Sequence, residues 1–277
     1  TGMAFDRVSG SPVLVGWEAA ASGTVWSARM QGGAWVRECV TAGAGATCPR
    51  VAVAPDGTAH AVWRDGQGAV WHLERDKGGV WLRGGGTSAE PERIGSSAGD
   101  LAVAAVRHQV LAVTSTAEGQ LTYSLYTGQG WNPDLPLTAP DKRWKSDRLS
   151  LPAVTLDGHG VPWLFFANNT GQRRFAYYTR WLGFGWDTIR EGRGIYHASG
   201  DFLENLAVVE GCHLPAAVVE GDSEFGLLLV NRSVPRPWRL HRIRTPRPVA
   251  RPGADILFMD MLEVGEILWA GQELGKV

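Results

Sequence analysis

The stretch Pro49-Arg50-Val51-Ala52-Val53-Ala54-Pro55-Asp56-Gly57-Thr58-Ala59-His60-Ala61-Val62-Trp63-Arg64-Asp65-Gly66-Gln67-Gly68-Ala69-Val70-Trp71-His72-Leu73-Glu74 decides the fold. Arg50 to Ala54, His60 to Trp63 and Ala69 to Glu74 are short apolar runs bounded by turn residues, too short for helices and without helical periodicity. Asp56-Gly57 separates the first two runs, and an Asp-Gly pair between apolar runs is a strong hairpin signal. Gly66 to Gly68 turns the chain into the third run, and Gly78-Gly79 turns it again into Val80 to Arg83. The reading is four antiparallel strands joined in sequence order by three short turns.

The same pattern recurs along the chain. A Gly-containing segment followed by Trp occurs as Gly32-Gly33-Ala34-Trp35, Gly78-Gly79-Val80-Trp81, Gly128-Gln129-Gly130-Trp131 and Gly183-Phe184-Gly185-Trp186, and weakens to Pro235-Arg236-Pro237-Trp238. Asp157-Gly158 repeats Asp56-Gly57, with Ser9-Gly10, Glu210-Gly211 and Val264-Gly265 in the equivalent places. Two markers sharing a period of about 50 residues imply a radial repeat of four-stranded units. The fold class is therefore all-β, a β-propeller of four-stranded antiparallel blades in a single domain spanning 1–277. Blades are expected near 3–38, 48–90, 100–138, 149–195 and 205–245, with a partial blade over 255–277. The ring is either six-bladed with an incomplete last blade, which a partner chain could complete, or five-bladed with an added hairpin.

Composition bounds the function. The 277 residues are 44% hydrophobic and 20% charged, enough apolar material for a sizeable core. Gly 36, Trp 13 and Pro 15 suit many short strands and tight turns. A formal charge of -1 excludes a globally basic nucleic-acid binder. No apolar run has the length a membrane-spanning helix needs. Cys39 and Cys48 flank a small-residue segment and are either a loop-stapling disulfide or two unpaired small hydrophobes, while Cys212 is left over. With Asn168-Asn169-Thr170 and Asn231-Arg232-Ser233 matching the glycosylation pattern, the chain is expected to be secreted or periplasmic.

The segment from Pro49 to Trp63 resembles the bacterial sialidase-like propellers, and Asp76-Lys77-Gly78-Gly79-Val80-Trp81 looks like a worn form of their Asp-box turn, without the usual Ser or Thr before the Trp. The resemblance implies a carbohydrate-active propeller among glycoside hydrolases, polysaccharide lyases and lectins. The Arg-Ile-Pro motif of true sialidases is absent. The expected activity is hydrolysis or lyase cleavage of an anionic or uronate-containing polysaccharide or glycan, with glycan or protein binding alone as the alternative, and with no nucleic acid, no membrane, no cofactor and no metal.

The Asp-Gly and Gly-x-Trp turns belong to one face of the blades. The other face collects the loops between second and third strands and the connections between blades, where a rigid scaffold presents functional residues. Its polar residues include Arg64, Arg148, Asn168, Asn169, Arg173, Asp201 and Asp222 as substrate-binding candidates. For hydrolysis, two carboxylates can divide the acid and base or nucleophile roles, and Asp201 or Glu204 with Glu220 or Asp222 across neighbouring blades would supply such a pair. For a lyase, His197, Tyr177 or Tyr178 would remove the proton next to a uronate carboxylate while Arg174 neutralises it. A lectin or protein-interaction propeller uses the same face without catalysis. The turn tryptophans, repeating with the blades, are expected to pack between them, and Trp17, Trp26, Trp63 and Trp71 to lie in the core. His60 and His72 read as satisfied strand residues, and the basic stretch Arg236 to Arg251 as either an anion grip or a soluble outer strand.

Overall fold

The computed structural model describes residues 2–6, 8–18, 23–41, 45–76, 79–82, 90–106, 109–137, 149–157, 159–168, 175–187 and 190–191, followed by the backbone of strands at 203–209, 216–221, 225–230, 238–243, 257–258 and 269–270. These residues contain strands and turns and no helix. The chain forms two compact units, Thr1–Thr138 and Ala139–Val277.

The first unit holds three sheets. Sheet one is the meander β1 (Gly2–Asp6), β2 (Ser11–Trp17), β3 (Val25–Gln31) and β4 (Ala34–Thr41). Sheet two runs β5 (Thr47–Val53), β6 (Ala59–Arg64) and β7 (Ala69–Arg75), then β8 (Trp81–Leu82) and β9 (Glu92–Ser96). Sheet three is β10 (Leu101–Val106), β11 (Gln109–Ser115), β12 (Leu121–Tyr126) and β13 (Trp131–Pro136). All neighbours pair antiparallel. The innermost strand β5 packs against both β1 and β10, the relation expected of consecutive blades.

Sheet two is covered on both faces. Val51, Ala59, Ala61, Trp63 and Leu73 join Val13, Val15 and Val25 of sheet one in one core cluster. Ala52, Val62, Val70 and Ile94 join Leu101, Val103, Val110 and Ala112 of sheet three in another. Successive side chains point to opposite faces, so a strand between two cores is apolar at nearly every position. This is why Ala59 to Trp63 is buried at every position, apolar except for His60, and does not alternate.

The outer strand of sheet two differs from the sequence reading, which ended it at Arg83. It is built in two pieces: β8 pairs with Glu74 and Arg75, and β9 pairs with Ala69 to His72 of the same strand β7. The β9 segment carries one buried apolar side chain, Ile94, and a glycine, so its sequence signal is weak. Gly95 is needed for close approach, since a Cβ there would stand 2.8 Å from Asp134 Oδ1 and 2.9 Å from Ser124 Oγ.

The second unit has two four-stranded meanders. The first is β14 (Leu149–Leu156), β15 (Pro162–Asn168), β16 (Phe175–Arg180) and β17 (Arg190–Glu191). The second is β18 (Leu203–Val209), β19 (Ala216–Gly221), β20 (Phe225–Val230) and β21 (Trp238–Ile243), with β18 beside β14. A two-stranded sheet, β22 (Leu257–Phe258) with β23 (Trp269–Ala270), follows. The described strands thus form four four-stranded meanders, one further meander whose outer strand is split in two, and a hairpin.

The tryptophans divide. Trp63 is fully buried, Trp81 joins the first core and Trp131 packs against the second. Trp186 meets Trp181 edge-on with ring centroids 5.3 Å apart. Trp35 and Trp17 depart from expectation and are exposed, Trp35 at the start of an outermost strand whose first residues all face outward. Trp26 lies beneath Arg37, whose guanidinium carbon is 4.8 Å from the ring centroid. Cys39 and Cys48 are free thiols, so of the two readings open for them the unpaired one holds.

Candidate functional site

The second-to-third-strand loop of sheet two is built from its own carboxylate. Asp65 Oδ1 accepts the amides of Gln67 at 2.8 Å and Ala69 at 2.9 Å, and Oδ2 accepts the indole N–H of Trp71 at 2.8 Å. The backbone closes with Gly68 N–H donating to Asp65 O and Asp65 N–H to Ala69 O. This is a three-residue hairpin loop whose last position is left-handed, and Gly68 occupies it at φ 85°. Burial pushes the Asp65 carboxyl up, but the indole, the two amides and the Arg93 charge outweigh it and hold its pKa below the usual value.

Arg64 ends β6 immediately before that loop. Its Nε donates to Thr47 Oγ1 at 3.3 Å and its Nη1 to Gly99 O at 3.2 Å, which ties the guanidinium to the inner strand and to the connection toward sheet three. Both acceptors are neutral. Among the described residues no carboxylate stands within ion-pairing distance of Arg64, so its charge has no protein counter-ion there. The connection is itself rigid. Ser97 Oγ lies within 3.3 to 3.4 Å of the carbonyls of Gly99, Asp100 and Ser115, and Ala98 N–H donates to Ser115 O.

These parts enclose a cleft of about 620 Å³ lined by Thr47, Arg64, Asp65, Gly66, Gln67, Gly68, Ser96, Ser97, Ala98, Thr116, Ala117 and Glu118. It lies between the second-to-third-strand loops of sheets two and three, the face the sequence assigns to function. The volume falls within the range of small-ligand sites, and the lining mixes polar side chains with glycine and alanine and has no aromatic ring. Glu118 is fully exposed on the Thr116 to Gln120 turn, and the Thr116 hydroxyl lowers its pKa.

The other candidates stand as follows. Tyr177 and Tyr178 are not at a loop. They sit mid-strand in β16 at 7% exposure each, Tyr177 stacked on Phe166 and Tyr178 on Phe165 and Trp163. Both faces of this sheet are covered, so adjacent residues are buried on opposite sides, which corrects the expectation of a solvent-facing base. Asn168 ends β15, with its backbone opposite Leu149 and Phe175. Glu204 and Glu220 belong to β18 and β19 of one sheet, with Glu220 opposite Asn205, and not to neighbouring blades as expected. Arg148, Asn169, Arg173, Arg174, His197, Asp201 and Asp222 lie outside the described residues. Of the basic stretch, only the strand Trp238–Ile243 is described.

The cleft residues that sequence reading missed are Thr47, Gln67, Ser96, Thr116 and Glu118. The available signal was Asp65-Gly66-Gln67-Gly68, a second Asp-Gly turn directly after a basic residue. No group of three or more metal-ligating side chains occurs among the described residues. Nor is any helix there long and apolar enough to cross a membrane.

No family model matches this sequence, and no curated protein matches it. Among solved structures, SapL1 lectin in complex with alpha methyl fucoside is similar at TM-score 0.53 and 12% identity, covering 88% of this chain and 80% of that one. A mutant of Aleuria aurantia lectin in complex with alpha-methyl-L-fucoside gives TM-score 0.52 and 11% identity over 87% and 80%. TolB from Acinetobacter baumannii gives 0.51 and 11% over 87% of this chain and 53% of its own. The chain spans 52% of a subtype N11 neuraminidase-like protein and 65% of an ulvan lyase, both at TM-scores under 0.5. At these identities the likeness establishes the fold: an all-β propeller of four-stranded antiparallel blades.

Proposed function

We propose that this chain is a carbohydrate-binding β-propeller whose ligand is an anionic glycan, held by Arg64 in the cleft between the loops of sheets two and three. The observation that carries the reading is the Arg64 guanidinium, fixed by two neutral acceptors and left without a carboxylate partner among the described residues. A prepositioned, uncompensated guanidinium favours a carboxylate or sulfate, and it loses little entropy on binding. Hydroxyl and amide groups from Thr47, Gln67, Ser96 and Thr116 around it suit a hydroxyl-rich ligand. The lectins of the same fold with bound fucosides support a carbohydrate ligand. The cleft offers no aromatic platform, so hydrogen bonds and charge would carry the affinity.

Binding is favoured over catalysis because of the two acids in the lining. Asp65 is committed to its turn and Glu118 is an exposed rim residue. Neither is a poised proton donor or acceptor of the kind hydrolysis or elimination needs. Secretion or periplasmic export belongs to the same proposal, because that is where polymeric anionic glycans are met.

The test is titration of oligogalacturonate and of a sulfated oligosaccharide into the protein at low and high salt, with Arg64→Gln beside the unmodified chain. The expected result is binding that weakens with salt and falls about tenfold or more in Arg64→Gln. Absence of binding, or equal binding by Arg64→Gln, overturns the proposal. Absorbance at 235 nm and new reducing ends are read on the same samples. Turnover lost in Arg174→Ala or His197→Ala would move the assignment to a lyase or hydrolase.

A further inference from the structure

A second polar cavity, of about 120 Å³, lies at the opposite end of β6, between sheets one and two of the first unit. Its chemistry is set by two arginines that share one acid. Arg29 Nε is 3.1 Å from Glu38 Oε1, and Arg75 Nη2 is 3.3 Å from the same oxygen. A single carboxylate oxygen thus faces two guanidinium charges. The other acid in the lining, Asp6, turns inward on its own loop, accepting the Val8 amide at 2.9 Å and the Ser9 hydroxyl at 2.6 Å.

Arg75 is left with unmet donors. Its Nε and Nη2 are both shielded from solvent and make no hydrogen bond, Nη2 being near Glu38 but not aligned with it. These two nitrogens lie on the same edge of the guanidinium and form the fork that binds two oxygens of one anion side by side. The guanidinium lies close to Gly79, where a Cβ would come within 2.9 Å of Nη2. Leaving buried donors unpaired is costly, so this arrangement calls for an acceptor. Ser11 and Ser27 line the same space and add hydroxyl groups.

We infer that this cavity is a binding site for one small oxyanion of sulfate, phosphate or carboxylate type, seated on the Nε/Nη2 fork of Arg75 beside Arg29. It is separate from the Arg64 cleft and lies at the other end of the strand. The space admits a free ion or a single anionic group and excludes a polymer. Asp6 and Glu38 oppose any anion, so the affinity is modest, with a Kd on the order of 1 mM.

The experiment is calorimetric titration of sulfate, phosphate and acetate at constant ionic strength maintained with chloride, run on the unmodified chain, Arg75→Lys and Ser11→Ala. Saturable one-to-one binding of at least one oxyanion, weakened about tenfold in Arg75→Lys, is expected, because Lys keeps the charge and loses the fork. Which ion saturates distinguishes tetrahedral from planar occupants. Ser11→Ala, a small change beside the cavity, should weaken binding a few-fold and keeps the test decisive if Arg75→Lys does not fold. No saturable binding of any of the three ions, or full affinity in the foldable variants, overturns the inference.

Discussion

Asp65-Gly66-Gln67-Gly68-Ala69-Val70-Trp71 and Asp157-Gly158-His159-Gly160-Val161-Pro162-Trp163 set one turn at two places in the fold. In each, the carboxylate accepts the amides two and four residues on through Oδ1, and the indole N–H six residues on through Oδ2. In each, the glycine three residues on is left-handed, at φ 85° and 74°. Yet the first joins second to third strand and the second joins first to second, so they cap opposite ends of their sheets. The shared chemistry is therefore structural, and Asp65 is a turn builder even where it lines a cleft. Among the differences between them, the residue before the turn changes charge: Arg64 in one and Leu156 in the other. The proposed function rests on Arg64.

The comparison can be broken most severely at Asp157, which is 1% exposed against the half-buried Asp65. Asp157→Ala strands two amides and a buried indole, and should lower unfolding free energy by roughly 3 kcal/mol in urea titration, with Asp65→Ala costing about half as much because water reaches its turn. Equal costs would contradict the burial argument.

Acid should separate the two regions next. In the sheet that carries the Asp65 turn, toward the opposite end of β6, His60 Nδ1 and His72 Nε2 face each other at 3.2 Å in the interior. Burial lowers His60 from 6.5 to about 4 and holds His72 well below 6.5. Unfolded histidine binds its proton near the ordinary value, so the full stability of the neutral pair is present above about pH 6.5 and is lost as pH falls toward 4. The loss should reach roughly 3 kcal/mol for His60 alone. The only histidine described in the sheet of the Asp157 turn, His159, is exposed. Hydrogen exchange at pH 5 should therefore show β6 and β7 opening before β14 and β15, and the reverse order would refute this.

The glycines sharpen the comparison more finely. Gly160→Ala meets no atom within 4 Å and carries only the left-handed backbone penalty, about 1 kcal/mol. Gly68→Ala adds a contact of 2.9 Å with Ser97 O and should cost about 2 kcal/mol. Thermal melts of the two variants check the order. Smallest of all is the stability effect of Arg64→Gln, under about 0.5 kcal/mol, since it sacrifices hydrogen bonds in a half-exposed setting.

The blade pattern was legible because turns are local. Gly and Asp at fixed offsets, with tryptophans at a common period, marked the meanders and nearly every strand within them. The β9 segment was not legible, because its place is set by contacts with Ser124 and Asp134 some 30 to 40 positions on. Arg64 stands beside a second-to-third-strand loop, on the face the sequence singles out, whereas Tyr177 and Tyr178 are buried within a strand. Polar-looking tyrosines on a strand give no sign that both faces are covered, and only packing against Phe165 and Phe166 reveals it. Likewise, Glu204 and Glu220 carry no marker in sequence of which sheet each joins. Nothing local told Thr47 that it would hold Arg64, a contact across 17 residues of chain.

The central claim is that Arg64, and not the turn that follows it, makes the cleft a site for anionic glycans. The most direct measurement is titration of oligogalacturonate into the unmodified chain, Arg64→Gln and the neutral-turn control Leu156→Gln. The account predicts binding by the unmodified chain and by Leu156→Gln, and a loss of about tenfold or more in Arg64→Gln with its melting temperature unchanged. Undiminished binding by Arg64→Gln, or none by the unmodified chain, would contradict it.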